Sequence, residues 1–115
     1  MKLQPVGVVT QVGETAYIRI HEQYTPALEG VTPGNEYWVL YWMHALSGAE
    51  RQMLRAHPMG DRSKEQRGVF ALRSPMRPNP IGLTRVKLLQ RDGNVLTVEG
   101  LDALEGSPVI DIKPA

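Results

Sequence analysis

Glycine and proline interrupt this chain so often that short regular elements are expected. Its 115 residues contain 11 glycines and 9 prolines, and the runs between them are short and rich in β-branched and aromatic side chains. Side chains of these types pack well on a pleated surface, so such runs favour strands. The pattern predicts a mainly β barrel or sandwich with many short strands and no alternation of strands with long helices.

Two hairpins are predicted. The first joins strands Val6–Val12 and Thr15–His21, and the second joins Leu83–Gln90 and Val95–Gly100 through the turn Asp92-Gly93-Asn94. Apolar and polar residues alternate in Thr15–His21 and in Leu83–Gln90, which indicates one buried face for each strand.

Further strands are predicted from composition. The run Glu36–His44 is almost continuously apolar, which predicts a central strand buried on both faces. Val69–Leu72 and Val109–Ile112 are shorter candidates. Ser47–His57 is ambiguous, because Ser47 with Glu50 resembles a helical capping box while Met53 and Leu54 suit a strand.

Several classes of protein are excluded. The chain has no cysteine, so disulfides and thiolate metal sites are excluded, and its three histidines lack metal-ligand spacing, so no metal is expected. No apolar run reaches the roughly 18 residues of a membrane span, and Met1–Pro5 shows no signal-peptide pattern. We expect a cytoplasmic protein that does not contact the membrane.

Positive charge is concentrated in the middle of the chain. Between Arg51 and Arg91 the acidic residues are Asp61 and Glu65, whereas the basic residues are Arg51, Arg55, Arg62, Lys64, Arg67, Arg73, Arg77, Arg85, Lys87 and Arg91. A basic segment attracts polyanions or anionic cofactor groups if its arginines share a face. The alternative is a set of solvated arginines that pair with nearby carboxylates.

The segment Gly68–Gly82, GVFALRSPMRPNPIG, is the strongest candidate for a functional centre. Its prolines stiffen the chain, so little entropy is lost on binding. Arg73 and Arg77 offer paired N–H donors to a carboxylate or phosphate. The alternative from composition alone is a rigid corner with solvated arginines.

Two other features carry polar groups. Asp102 and Glu105 lie in a loop between Gly100 and Pro108, where Asp102 could bind a ligand or simply cap a turn. His44 ends an apolar strand, so it either has a buried partner or lines a cavity.

These residues resemble a known family. GVFALRSPMRPNPIGL, followed by VEGLDALEGSPVIDIKP, is similar to the TsaA-like (YaeB-like, TrmO) family, as are YWVLYWMH and RQMLRAHPMGDR. The resemblance runs from Pro5 to Pro114. It implies one domain over residues 1–115: a single-sheet antiparallel or mixed β-barrel of about seven strands with one or two short helical turns. It also implies that Arg51–His57 is a strand.

The resemblance implies a function as well. The family binds S-adenosylmethionine, forms homodimers and methylates N6 of threonylcarbamoyl-adenosine beside the tRNA anticodon. Carried over by position, the cofactor residues are His44, Ala45, Arg73, Arg85, Leu101, Asp102, Ala103 and Leu104. Asp102 and His44 are the candidate catalytic groups, and Arg77 and Asn79 are expected near the substrate or the second subunit.

Three alternatives stay open. The chain could bind S-adenosylmethionine without catalysis, or methylate a different small substrate. It could also be a basic barrel that binds RNA through Arg51–Arg91 without any cofactor.

Overall fold

The computed structural model describes all of residues 1–115. They form two compact units, which we call the barrel unit (Met1–Trp42 with Gly82–Ala115) and the inserted unit (Met43–Ile81). In chain order the regular elements are β1 (Gly7–Gln11), β2 (Thr15–Ile20), β3 (Glu36–Trp42), α1 (Gly48–Arg51), β4 (Arg55–Ala56), β5 (Arg67–Gly68), β6 (Ile81–Asp92), β7 (Val95–Glu99) and β8 (Pro108–Pro114). Short 3₁₀ segments span Glu22–Leu28, Pro58–Gly60 and Val69–Ala71.

Six strands close into a barrel in the order β1-β2-β7-β6-β3-β8. The pairs β1–β2, β2–β7, β6–β7, β3–β8 and β1–β8 are all antiparallel. The prediction of a mainly β barrel is therefore confirmed. Counting the two-stranded ladder β4–β5, the chain has eight strands where about seven were predicted.

Both predicted hairpins are confirmed. Apolar and polar residues alternate along these strands, which places the apolar side chains on one face. Ile18 on β2 and Leu96 and Val98 on β7 are therefore almost fully buried in the barrel core. The turn between β6 and β7 needs Gly93, whose φ of 61° lies in the left-handed region that other residues adopt with strain.

The central strand β3 differs from its prediction. It ends at Trp42, two residues before His44, and its burial alternates instead of being complete. Tyr37, Val39 and Tyr41 are buried, whereas Trp38 and Trp42 are only half-buried. The apolar residues on the second face misled the prediction, since bulky aromatic rings there remain partly in solvent.

Two strand predictions in the inserted unit are wrong. Ser47–His57 begins with the helical turn α1, because the Ser47 hydroxyl accepts from Glu50 N at 3.2 Å and the Glu50 carboxylate accepts from Ser47 N at 3.1 Å. Only Arg55–Ala56 of the expected strand is extended in a ladder. Val69–Ala71 is a 3₁₀ turn and not a strand, since Leu72 N donates to Val69 O at 3.1 Å.

The two ends of the inserted unit are tied together. Met43 N donates to Pro80 O at 2.8 Å, and Arg51 Nε donates to Pro78 O at 3.2 Å. No helix in the structure has the length and apolar character needed to cross a membrane.

Candidate functional site

Tyr41 connects the predicted cofactor loop to the barrel. It is 5% exposed on β3, and its hydroxyl donates to the backbone carbonyl of Asp102. The same hydroxyl lies 3.0 Å from Thr84 Oγ1 on β6. One buried side chain therefore fixes the position of the loop Leu101–Leu104 relative to β3 and β6.

Gly82 leaves the space that Tyr41 needs. A Cβ built on Gly82 would overlap the Tyr41 ring, so no larger residue fits there without moving the ring. The glycine that ends the motif Arg73–Gly82 thus has a packing reason within the barrel unit, because it lets the aromatic ring lie against the backbone of β6.

Burial around Tyr41 also affects its ionisation. Desolvation raises the pKa of Tyr41, the bond with Thr84 opposes that change, and the charge of Asp102 raises the pKa further. The hydroxyl is therefore neutral at physiological pH and keeps the proton that it donates to the loop carbonyl.

The loop after β7 presents free backbone donors. The peptide N–H groups of Asp102, Ala103 and Leu104 donate no hydrogen bond within the chain, and the Asp102 side chain is exposed. The far end of the loop is fixed, because Ser107 Oγ donates to Leu104 O at 2.6 Å. A loop that is held at both ends with free amides between them is suited to hydrogen-bonding a heterocycle.

Arg85 is already paired. Its Nε donates to the Glu36 carboxylate, and its guanidinium carbon lies 5.9 Å from the centre of the Trp38 ring. Both partners are on β3, and the ion pair is about half exposed. Any ligand contact of Arg85 would have to share the guanidinium with Glu36.

His44 and Ala45 form an exposed turn just after β3. The His44 ring makes no hydrogen bond, so the first of the two alternatives, a buried partner, is wrong. Because the strand ends before His44, its imidazole is in solvent and free to meet a ligand or a proton.

The two arginines of the motif differ. Arg77 donates from Nη1 to Leu72 O and Ser74 O at 3.1 and 3.2 Å, and from Nη2 to Val69 O at 2.9 Å. Its guanidinium therefore braces the segment on which Arg73 lies. Arg73 is exposed, makes no hydrogen bond or ion pair, and lines a cleft of about 500 Å³ in the inserted unit. Asn79 is exposed beside the buried Pro80.

Within the barrel unit the structure brings together Arg85 and the loop Leu101–Leu104. The contact is through the backbone, since a Cβ on Gly100, directly before the loop, would lie 3.6 Å from Arg85 O, and Tyr41 joins the neighbouring Thr84 to Asp102. Within the inserted unit His44, Arg73 and Asn79 share no hydrogen bond. Tyr41 was missed by the sequence analysis, which treated the aromatic strand as core, and Glu36 was missed because nothing in the pattern marks it as the partner of Arg85.

The protein is a small closed β-barrel with two distinguishing features. The inserted unit is rich in arginine and proline, and the loop after β7 has peptide N–H groups without a hydrogen-bond partner. The chain belongs to the family of the tRNA-methyltransferase O N-terminal domain, whose model matches residues 4–115. Similar proteins include a "Probable S-adenosyl-L-methionine-binding protein" of Methanothermobacter thermautotrophicus, 44% identical over 99% of this chain and 89% of its own length. An "S-adenosyl-L-methionine-binding protein" of Archaeoglobus fulgidus is 42% identical over 98% of this chain and 88% of its own length.

Solved structures give the same result. The crystal structure of TrmO from Pseudomonas aeruginosa matches with a TM-score of 0.74 and 25% identity. The match covers all of this chain but 55% of that one, so the chain spans about half the length of the TrmO structure it resembles.

Proposed function

We propose that this chain binds S-adenosylmethionine and transfers its methyl group to tRNA, at N6 of threonylcarbamoyl-adenosine beside the anticodon. The observation that carries the proposal is the family match over residues 4–115, which includes both the segment Gly68–Gly82 and the loop Leu101–Leu104. The names of the archaeal relatives support the cofactor. We further propose that the protein works as one domain over residues 1–115, as a homodimer in the cytoplasm.

The residues present fit this cofactor. An adenine ring offers nitrogen acceptors, and the free amides of Asp102, Ala103 and Leu104 offer donors beside Leu101. The cofactor's α-carboxylate needs a cation, and Arg73 has an uncommitted guanidinium. We assign His44, Ala45 and Arg85 to the remaining contacts, and place Arg77 and Asn79 near the substrate or the second subunit.

The chain's own residues would then position and deprotonate the acceptor. When bound, S-adenosylmethionine supplies an electrophilic methyl group on sulfur. The acceptor is a weakly basic, urea-like nitrogen that must lose a proton, so a base helps. The exposed carboxylate of Asp102 and the unpartnered imidazole of His44 are the groups we propose for that proton. Tyr41 holds the Asp102 backbone while the side chain stays free to act.

Calorimetric titration with S-adenosylmethionine tests the cofactor assignment. Arg73→Ala should weaken binding by about tenfold or more, because it removes a charge-assisted contact. Arg19→Ala is a matched control, since the Arg19 side chain is exposed on β2 and makes no hydrogen bond or ion pair. Equal affinity in wild type and Arg73→Ala would show that Arg73 does not hold the cofactor.

A second candidate is a binding module without turnover. It is favoured by the names of the archaeal relatives, which mention binding of S-adenosylmethionine and no reaction. Cofactor affinity would be the same under both proposals, so only transfer of label to an acceptor separates them.

A further inference from the structure

The cleft in the inserted unit, which we call the arginine cleft, is lined by arginines without any acidic residue. Its lining includes the three arginines Arg55, Arg62 and Arg73 and the apolar side chains of Met53, Met59 and Met76. No carboxylate lines it.

These three arginines differ from their neighbours in sequence. Arg77 and Arg91 donate to backbone carbonyls, and Arg85 pairs with Glu36. In contrast, the side chains of Arg55, Arg62 and Arg73 make no hydrogen bond or ion pair. The basic middle of the chain therefore contains arginines that stabilise the fold as well as these three, which leave their positive charge uncompensated in the cleft.

The acidic residue beside the cleft does not neutralise it. Asp61 follows Gly60 of the lining, but its carboxylate accepts from Ser63 N at 2.9 Å and from Ser63 Oγ at 2.6 Å. His57 also lines the cleft, and its Nδ1 lies 2.8 Å from Lys64 O. The three guanidinium groups thus remain the dominant charges in the lining.

This arrangement suits a polyanion with flat, apolar parts. Guanidinium groups match phosphate geometry with paired N–H donors. Thioether side chains are polarisable and adapt to an aromatic face, and Met59 is almost fully exposed. S-adenosylmethionine does not account for the cleft beyond Arg73, because its sulfonium and ammonium groups outweigh its single carboxylate, so Arg55 and Arg62 would repel the excess positive charge.

We propose that the arginine cleft holds the single-stranded part of the RNA substrate, with Arg55 and Arg62 on backbone phosphates and a base against the methionines of the lining. This rests on the proposed function in taking RNA as the substrate, and it adds Arg55 and Arg62, which are not among the cofactor residues, while Arg73 stays assigned to the cofactor. Single-stranded loops fit better than a duplex, since their unstacked bases can reach apolar side chains.

Fluorescence anisotropy with a labelled anticodon stem-loop RNA, measured over a range of salt concentrations, tests the assignment. Arg55→Ala/Arg62→Ala should lower affinity by about tenfold or more, and reduce the magnitude of the slope of log K against log salt by about 1.4, since each lost phosphate contact of a single strand removes about 0.7. The matched control is Arg19→Ala/Lys87→Ala, which removes the same charge from exposed, unpaired side chains of the barrel unit. We expect it to bind as wild type does. Unchanged melting temperatures show that both variants fold.

The outcomes separate this proposal from the proposed function. Cofactor affinity unchanged in Arg55→Ala/Arg62→Ala, with RNA affinity lost, supports the assignment, and RNA binding that depends on these arginines supports it even if no methyl transfer is found. Equal loss in both double variants would mean diffuse charge attraction and overturn it. Loss of cofactor affinity with RNA affinity intact would assign the cleft to the cofactor and also overturn it.

Discussion

Apolar residues have different roles in the barrel unit and in the inserted unit. The buried apolar side chains of the barrel include Ile18, Val39 and Leu96, whereas those of the inserted unit are Ala56, Val69 and Pro80. Some large apolar side chains of the inserted unit are exposed, with Leu54 at 65% and Met59 at 98%. The barrel thus buries apolar side chains that stabilise it. The inserted unit leaves apolar side chains in solvent beside uncompensated arginines.

The two units thus separate side chains that stabilise the fold from side chains that are free to bind a ligand. Strand alternation gives the barrel a packed interior, while the inserted unit has hydrogen bonds from the side chains of Arg51 and Arg77 to its backbone carbonyls. A segment with so little apolar core is the part we expect to open first under stress.

The largest effect should come from matched leucine truncations. Leu96→Ala in the barrel core should reduce the free energy of unfolding by about 2–5 kcal/mol, because it removes buried methyl groups and leaves a cavity. Leu54→Ala in the inserted unit should change it by less than about 0.5 kcal/mol. Urea denaturation measures both, and similar losses would contradict the exposed position of Leu54.

Loss of the hydrogen bonds from the Arg77 guanidinium should have the next largest effect. Arg77→Ala removes donors from Val69 O, Leu72 O and Ser74 O, at a local cost of roughly 1–3 kcal/mol. Hydrogen exchange should speed up at the amides of Leu72 and Met76 and stay unchanged in β2 and β7. Arg73→Ala is the control, because that side chain makes no bond, and equal exchange in the two variants would contradict the bracing role.

A smaller effect is expected at Tyr41. Tyr41→Phe keeps the ring against Gly82 and removes the hydroxyl that lies 3.0 Å from Thr84 Oγ1 and donates to Asp102 O, the latter bond being worth about 0.5–1.5 kcal/mol. S-adenosylmethionine affinity should therefore fall by about 2- to 10-fold. Tyr37→Phe is a close control on the same strand, since Tyr37 is also buried and accepts from Thr32 N at 2.9 Å. If both variants bind the cofactor alike, the Tyr41 hydroxyl does not position the loop.

The smallest effects should appear as opposite pH responses of the two units. The pKa of Tyr41 is raised, so its neutral form is favoured by folding and the stability it contributes is lost as pH rises above about 10. The pKa of Asp61 is lowered, mainly by its bond with the Ser63 side chain, so its contribution is lost as pH falls below about 4.

Two readouts check these signs. Alkaline unfolding of Tyr41→Phe should show a weaker pH dependence above pH 10 than the wild type. Nuclear magnetic resonance titration should show the Asp61 pKa moving up towards its ordinary value in Ser63→Ala. A Tyr41→Phe profile that matches wild type, or an unmoved Asp61, would remove the electrostatic difference between the units.

The fold could be predicted further than the site. Alternation in Thr15–Ile20 and the Asp92-Gly93-Asn94 turn determine strands and hairpins locally, so these predictions are confirmed. The strand expected over Arg51–His57 is wrong, because the capping box of Ser47 and Glu50 is a local signal that outweighed the resemblance.

Site residues depend on distant pairings that no local pattern records. The partner of Arg85 on β3 and the carbonyl that Tyr41 binds are 49 and 61 residues away in sequence. Motif position points to Arg73 and Asp102, but only the folded chain shows that Arg73 is free and Arg77 committed. The roles of His44, Ala45, Arg85 and Asn79 towards a cofactor or substrate stay predictions.

Methyl transfer itself tests the central claim most directly. The protein is incubated with S-adenosylmethionine labelled in its methyl group and with total tRNA, and label is then measured in RNA. We predict label in tRNA, released on digestion as a methylated threonylcarbamoyl-adenosine, and strongly reduced label with Arg73→Ala or Asp102→Asn while Arg19→Ala matches wild type. Cofactor binding with no label in any tRNA would contradict the account.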